Sequence, residues 1–293
     1  MRAGYTAQYM TAPQDARNMA LFCDFENVAL GVREAKYDKF DIGLVLERLL
    51  LKGSIVVKKA YCDWERYKEF KGGMHEASFE LIEIPHVRMS GKNSADIRMV
   101  VDALDLCYTK SHVDTFVIIS GDSDFSPLVS KLRENNKTVI AVGVKNSTSN
   151  LLIANCDEFI FYDDLVREQK GKTKRAEPKR AEKRPARGKA APRSADSSAA
   201  APAAPVEEKD KKQEAFDLVL ATTEALAAER DTEDKIWGSM VKQALKRRNP
   251  GFSESYYGFK SFNQLLEEAA ARKVLELERD EKSGGYIVRS GSH

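Results

Sequence analysis

Between about Met19 and Val166 six short apolar runs are separated by amphipathic stretches, and this alternation constrains the fold more than any other feature of the chain. Ala20–Cys23, Ser54–Ala60, Leu81–Ile84, Thr115–Ile119, Thr138–Val144 and Glu158–Tyr162 read as strands. The β-branched ones are nearly continuous, as strands buried on both faces require. Between them Asp41–Leu51, Tyr67–Phe79, Ala95–Tyr108, Pro127–Asn135 and Ser149–Ala154 have helical spacing. Ile97, Val100, Val101, Leu104 and Tyr108 give one of these helices an apolar stripe at steps of three and four. Strands alternating with helices predict an α/β domain of roughly 150 residues, a parallel sheet covered by helices on both faces.

That domain ends where the composition changes. Residues 168–212 hold no aromatic side chain and, Ala apart, one apolar residue, Val206, while five of the nine prolines fall there. Such a stretch buries too little surface to offset chain entropy, so 167–212 is expected to be a disordered linker. From Lys170 to Arg193 eleven Lys and Arg stand against two Glu, a net of +9 within a chain of net +2, which leaves −7 for the rest. A run of this kind is either a solubilising tether or a sequence-blind grip on nucleic-acid phosphates through counterion release. Residues 1–18 lack an apolar h-region and read as a flexible N-terminus rather than a secretory signal. No segment approaches the roughly 18 apolar residues of a membrane-spanning helix. Cys23, Cys62, Cys107 and Cys156 form no CxxC or CxxH pair and sit in apolar contexts, so reduced core thiols and a cytoplasmic protein are expected.

From Gln213 the pattern is different again. Helical stretches near 214–229, 235–247 and 261–271 precede two short strand-like runs, 274–278 and 286–289, on either side of Ser283-Gly284-Gly285. Helices followed by a hairpin fit a small winged-helix domain over 213–293. Lys242, Lys246, Arg247 and Arg248 cluster on one helix, which Asn249-Pro250-Gly251 stops.

In an open parallel sheet the functional crevice lies outside the carboxyl ends of the strands, where strand order reverses. The first strand leads into Cys23-Asp24-Phe25-Glu26-Asn27, and the fourth into Ser120-Gly121-Asp122-Ser123-Asp124, with Ser126-Pro127 as an expected N-cap and first turn of the next helix. Asp96 opens another helix. If the first and fourth strands are neighbours, Asp24, Asp96, Asp122 and Asp124 converge. Gathered carboxylates repel one another unless a cation neutralises them, and hard oxygen donors without nearby His or Cys select Mg²⁺ or Mn²⁺ over Zn²⁺. Such a centre suits phosphodiester hydrolysis. Taken singly, Asp96 or Asp124 is as readily a turn former or cap. Lys145 to Asn150 runs from a strand into a helix start, where Ser147, Ser149 and Asn150 could hold a phosphate, or Ser149 could simply cap the helix.

These residues carry a resemblance. Cys23-Asp24-Phe25-Glu26-Asn27, Lys92-x-x-x-Asp96 with Asp102, Ser120-Gly121-Asp122-Ser123-Asp124-Phe125, Val142-Gly143, Ser149-Asn150-Leu151 and Cys156-Asp157-Glu158-Phe159 resemble the NYN domain, the LabA-like branch of the PIN-fold ribonucleases, over residues 19–166. The resemblance implies that Asp24, Asp96, Asp122 and Asp124 ligate Mg²⁺ or Mn²⁺, with Asn27, Ser120, Ser123 and Asp102 in support. Asp102 lies six residues after Asp96, 240° around a regular helix, so the two cannot point the same way. Trp237-Gly238-Ser239-Met240-Val241-Lys242, Asn249-Pro250-Gly251-Phe252 and Tyr257-Gly258-Phe259-Lys260-Ser261-Phe262 are similar to an OST-HTH (LOTUS) domain, a winged-helix RNA-binding module. By that resemblance Lys242, Lys246, Arg247, Arg248, Tyr257 and Lys260 contact RNA, and Trp237, Leu245, Phe259, Phe262 and Leu266 form its core. Lys92 is a further residue placed near the scissile phosphate.

The reading is a cytoplasmic Mg²⁺- or Mn²⁺-dependent ribonuclease, an endonuclease before an exonuclease, that takes RNA from a tethered binding domain and works with other RNA-processing proteins. The alternatives are an RNA-binding adaptor whose PIN-like domain turns over little, and a nuclease acting on DNA.

Overall fold

The computed structural model describes residues 17–84, 94–176, 205–229, 235–280 and 284–290. They fall, in the main, into two compact units that meet along the chain at Leu165 and Val166.

In the first unit the six apolar runs are strands. They are β1 (Arg17–Asp24), β2 (Gly53–Cys62), β3 (Glu80–Glu83), β4 (Thr115–Ile119), β5 (Thr138–Gly143) and β6 (Glu158–Phe161). All pair in parallel, in the order β3-β2-β1-β4-β5-β6. The central strands show why the sequence reads as it does: every residue from Met19 to Cys23, and every residue of β4, is fully buried, so apolar side chains are needed on both faces. The helices are α1 (Phe25–Glu34), α2 (Ile42–Leu50), α3 (Lys68–Glu76), α4 (Ser94–Thr109), α5 (Ser126–Glu134), α6 (Asn150–Asn155) and α7 (Tyr162–Ala176). The domain is α/β with a PIN-like arrangement, as its periodicity predicts.

One helix went unread, and three local expectations are corrected. Helix α1, which the sequence reading did not include, follows β1 with no intervening loop and buries Phe25, Val28, Gly31 and Val32; a Cβ at Gly31 would collide with the Ser147 side chain. Helix α5 starts one residue early, with Phe125 at the cap and Ser126 inside; the Ser126 hydroxyl is buried without a hydrogen-bond partner among the described residues. Helix α4 turns Met99, Ala103 and Cys107 to the sheet, and much of the apolar stripe noted in sequence faces solvent. The stretch expected to be unstructured from 167 is helical through Ala176 in α7, and a helix resumes at Pro205, leaving 177–204 outside the described residues. The sequence carried that second signal, since proline suits the first position of a helix. Residues 1–16 also lie outside the described residues.

The second unit contains α8 (Pro205–Ala228), α9 (Gly238–Arg248), α10 (Phe262–Ala271) and an antiparallel pair, β7 (Leu275–Arg279) and β8 (Tyr286–Ser290), in the expected order of helices then hairpin. Its core is Phe216, Val219, Leu245, Phe259, Phe262, Leu265 and Leu266, all buried. Trp237 is half-buried and forms a bridge to Ile287. The four cysteines are buried and unpaired. Among the described residues no helix is long and apolar enough to cross a membrane.

Candidate functional site

Strand order reverses at β1: β2 lies on one side of it and β4 on the other. The register sets Cys23 beside Ile119, so the chain leaves both strands side by side, at Asp24 and at Ser120. Short polar links then fix the two exits together. The Ser120 hydroxyl donates to Asp24 Oδ2 at 3.0 Å, and the Asp122 N–H donates to Ser120 Oγ at 3.2 Å. Asn27 works in both directions: its N–H donates to Asp24 Oδ1 at 3.4 Å, and its Oδ1 accepts from the Gly121 N–H at 2.9 Å. The Asp124 N–H donates to Asp122 Oδ1 at 3.0 Å, and the Ser149 N–H to the Gly121 carbonyl at 2.9 Å. Behind Asp24 the Phe25 ring is fully buried, 5.0 Å from both Trp64 and Phe70, which holds the turn from β1 into α1.

The electrostatics follow from this placement. Asp24 is 7% exposed. Burial, then the Asp96 carboxylate, push its pKa up to about 7 against the hydrogen bonds from Ser120 and Asn27, with Asp122 adding to the rise. Asp96, half-buried in the first turn of α4, is pushed up to about 6 by burial and then by Asp122, Asp124 and Glu26. The four aspartates predicted to converge therefore act on one another. Their donors are hard oxygens and their repulsion is relieved by a cation, which fits Mg²⁺ or Mn²⁺. Among the described residues no three His, Cys, Asp or Glu side chains are gathered closely enough to hold an ion by themselves.

The other expected residues are placed as follows. Asp102 accepts from the Tyr61 hydroxyl at 2.9 Å and from Arg98 Nε at 3.0 Å, with Lys59 Nζ at 3.5 Å, so it ties α4 to β2 and plays no part beside Asp96. Ser123 is half-buried in the short turn after Asp122. Ser149 caps α6 through the Leu151 N–H at 3.2 Å, Asn150 is exposed at its start, and the Ser147 hydroxyl donates to the Val144 carbonyl at 3.4 Å. Lys92 lies outside the described residues. A cavity of about 630 Å³ beside Phe25, Phe40 and Phe70 is lined by none of the four aspartates.

In the second unit two of the residues expected at RNA are otherwise engaged. Tyr257 is 8% exposed, stacks on Phe252 at 5.3 Å and donates to Glu214 Oε1 at 3.3 Å, so its ring serves the core and has no open face for a base. Lys242 Nζ lies 2.7 Å from Glu254. Arg247, Arg248 and Lys260 are exposed and Lys246 is half-exposed. One acid escaped the sequence reading, although it stands two residues after Asp24: Glu26, which raises Asp96 and lies 3.5 Å from Arg66.

Asn27 offers a direct check of the framework. Asn27→Ala leaves the Gly121 N–H without its acceptor, and a loss of about 1–3 kcal/mol in urea denaturation is expected.

A parallel sheet with an acidic crevice at its switch point defines an α/β domain of the PIN-like nuclease class. The chain carries an NYN domain, whose family model matches residues 18–163. An uncharacterized protein of Methanocaldococcus jannaschii is 27% identical over 112 residues, which cover 38% of this chain and 43% of that protein, so the match spans less than half of that relative's length. A crystal structure of a protein of unknown function from Vibrio parahaemolyticus is 28% identical, covers 53% of this chain and 98% of its own, and has a TM-score of 0.47.

Proposed function

We propose that the NYN domain is a Mg²⁺- or Mn²⁺-dependent ribonuclease, an endonuclease in preference to an exonuclease, and that the C-terminal unit is an OST-HTH winged-helix domain that brings RNA to it. The observation that supports the reading is that Asp24 and Asp96 are both raised towards neutrality, by burial and by the neighbouring acids Asp122 and, for Asp96, Asp124 and Glu26. When bound, the divalent cation supplies positive charge to the transferring phosphoryl group and the leaving oxygen. Asp24 and Asp96 would face that charge, and Ser120 and Asn27 fix the direction of the Asp24 oxygens. Four buried, unpaired cysteines fit a reducing compartment, and a cytoplasmic protein acting with other RNA-processing proteins follows from that reading.

Labelled RNA and DNA incubated with Mn²⁺, with Mg²⁺ and with chelator test the proposal. RNA cleavage that chelator stops supports it; equal cleavage of DNA changes the substrate. The adaptor reading draws on one observation, that no three acids gather closely among the described residues. It is supported if RNA binds in a salt-sensitive way and neither metal yields product. Replacing Lys246, Arg247 and Arg248 together by Ala should weaken RNA binding uniformly across sequences. The slope of log affinity against log salt should then fall by about 2, at about 0.7 per lost phosphate contact. An unchanged slope in a filter-binding titration places the RNA elsewhere.

A further inference from the structure

Three of the seven large apolar side chains most exposed among the described residues stand on α4: Ile97 at 62%, Val101 at 56% and Tyr108 at 64%. Half-buried Leu104 completes a row at steps of four, three and four. At 100° per residue these four lie within an arc of about 60°. That is the narrow seam of a two-stranded helix pair, whereas a core helix of a globular domain has a broader apolar face. The helix has its core face as well, since Met99, Ala103 and Cys107 pack against the sheet on another side. Leu104 also touches that core from its half-buried position, whereas Ile97, Val101 and Tyr108 are additional to what the domain needs for its own core.

We propose that the row is covered by the same row of a second copy of this chain, the two α4 helices running antiparallel about a two-fold axis that passes between Val101 and Leu104. Ile97 then packs on Tyr108 of the other copy and Val101 on Leu104, each contact occurring twice, as a two-fold requires. The bordering charges select this partner and this direction. Arg98 and Asp105 lie one heptad apart on the same border of the row, both exposed. In an antiparallel pair equivalent borders face one another, so each Arg98 meets an Asp105. A parallel pair would set both charges against the border that carries Val100 and Cys107. Arg98 is also bonded to Asp102 within its own chain, at 3.0 Å, which restrains the guanidinium beside the row.

The row is about 16 Å long, so the interface is small and the dimer weak, with a dissociation constant of about 10–100 µM. Asp96 precedes Ile97 by about 100° of helix rotation, and antiparallel pairing sets the two Asp96 residues at opposite ends of the pair. The dimer itself does not depend on the proposed nuclease activity.

Sedimentation equilibrium on the full chain from about 1 to about 200 µM reads the outcome directly. A concentration-dependent dimer is expected. Val101→Glu should weaken it by at least about 30-fold, because two carboxylates would enter the seam. Arg98→Asp should weaken it by roughly fivefold, and adding Asp105→Arg should restore affinity to within about threefold of the original. A monomer at every concentration overturns the proposal, as does a dimer that Val101→Glu leaves intact. A double charge exchange that fails to restore affinity overturns the antiparallel arrangement.

Discussion

Asp24→Asn should abolish metal-dependent RNA cleavage, by at least about 10³-fold, and at the same time make the protein more stable at neutral and alkaline pH. The two effects share a cause. Asp24 is buried among other acids, and its pKa is pushed up to about 7 from an ordinary value near 3.9. A carboxyl whose folded value is raised binds its proton more tightly in the folded state than in the unfolded one. The stability it contributes is fully present below about pH 4 and is lost as pH rises through about 7. A rise of about three units corresponds to about 4 kcal/mol at most, and losses at the Ser120 and Asn27 hydrogen bonds reduce the net gain to about 1–3 kcal/mol. The asparagine side chain cannot ionise, and its carbonyl can still accept from Asn27 while Ser120 rotates its hydroxyl. Thermal denaturation of both proteins at pH 4 and pH 8 gives the comparison: a variant somewhat less stable at pH 4, where only the hydrogen-bond losses act, and more stable at pH 8 is expected. A variant that is less stable at pH 8, or one that still cleaves, removes Asp24 from its assigned place.

Gly121→Ala should destabilise the domain by about 2–4 kcal/mol, a fall in melting temperature of roughly 10 °C. A Cβ at this position collides with the Ser147 backbone carbonyl and comes within 3.1 Å of Thr148 Cα. Neither strand exit can swing aside, because the Gly121 N–H is held by Asn27 and its carbonyl by the Ser149 N–H, both at 2.9 Å. The close approach of two backbones, rather than an unusual backbone angle, is what demands glycine here. Gly73 in α3 serves as the control. It has nothing within 4 Å of an added Cβ, and Gly73→Ala is expected to stabilise by about 0.5–1 kcal/mol. If the two alanine variants behave alike in urea denaturation, the contact with Ser147 is not what requires the glycine.

The six strands were legible because each has a local pattern: a strand buried on both faces has little polar side chain to spare, and the runs that follow Thr115 and Thr138 contain none. Asp24 and Asp122 were legible because strand ends in such sheets carry function. The misses share a different physics. Helix α1 went unread although Phe25, Val28 and Val32 have helical spacing, and the need for glycine at Gly31 comes from Ser147, a residue 116 positions away. Tyr257 reads as an aromatic beside basic residues, and only the packing of Phe252 and Glu214 around it makes it a core residue. The apolar row on α4 has the spacing of a core face, yet a neighbouring face of the same helix meets the sheet.

The sequence by itself determined the α/β class, the separation of an acidic NYN domain from a C-terminal unit of helices and hairpin, and which acids stand at the ends of β1 and β4. These are consequences of short-range periodicity and composition. The tertiary structure alone decided that β1 lies between β2 and β4, that Ser120 and Asn27 aim the Asp24 carboxylate, and that Asp102 leaves the crevice for Tyr61, Lys59 and Arg98. Each of those depends on residues tens of positions apart being pressed together by a common core, and local spacing carries no record of which distant partner that will be. The raised pKa of Asp24 belongs to the same category, because it is produced by burial and by charges on α4 and beyond β4 that reach Asp24 only once the sheet has formed.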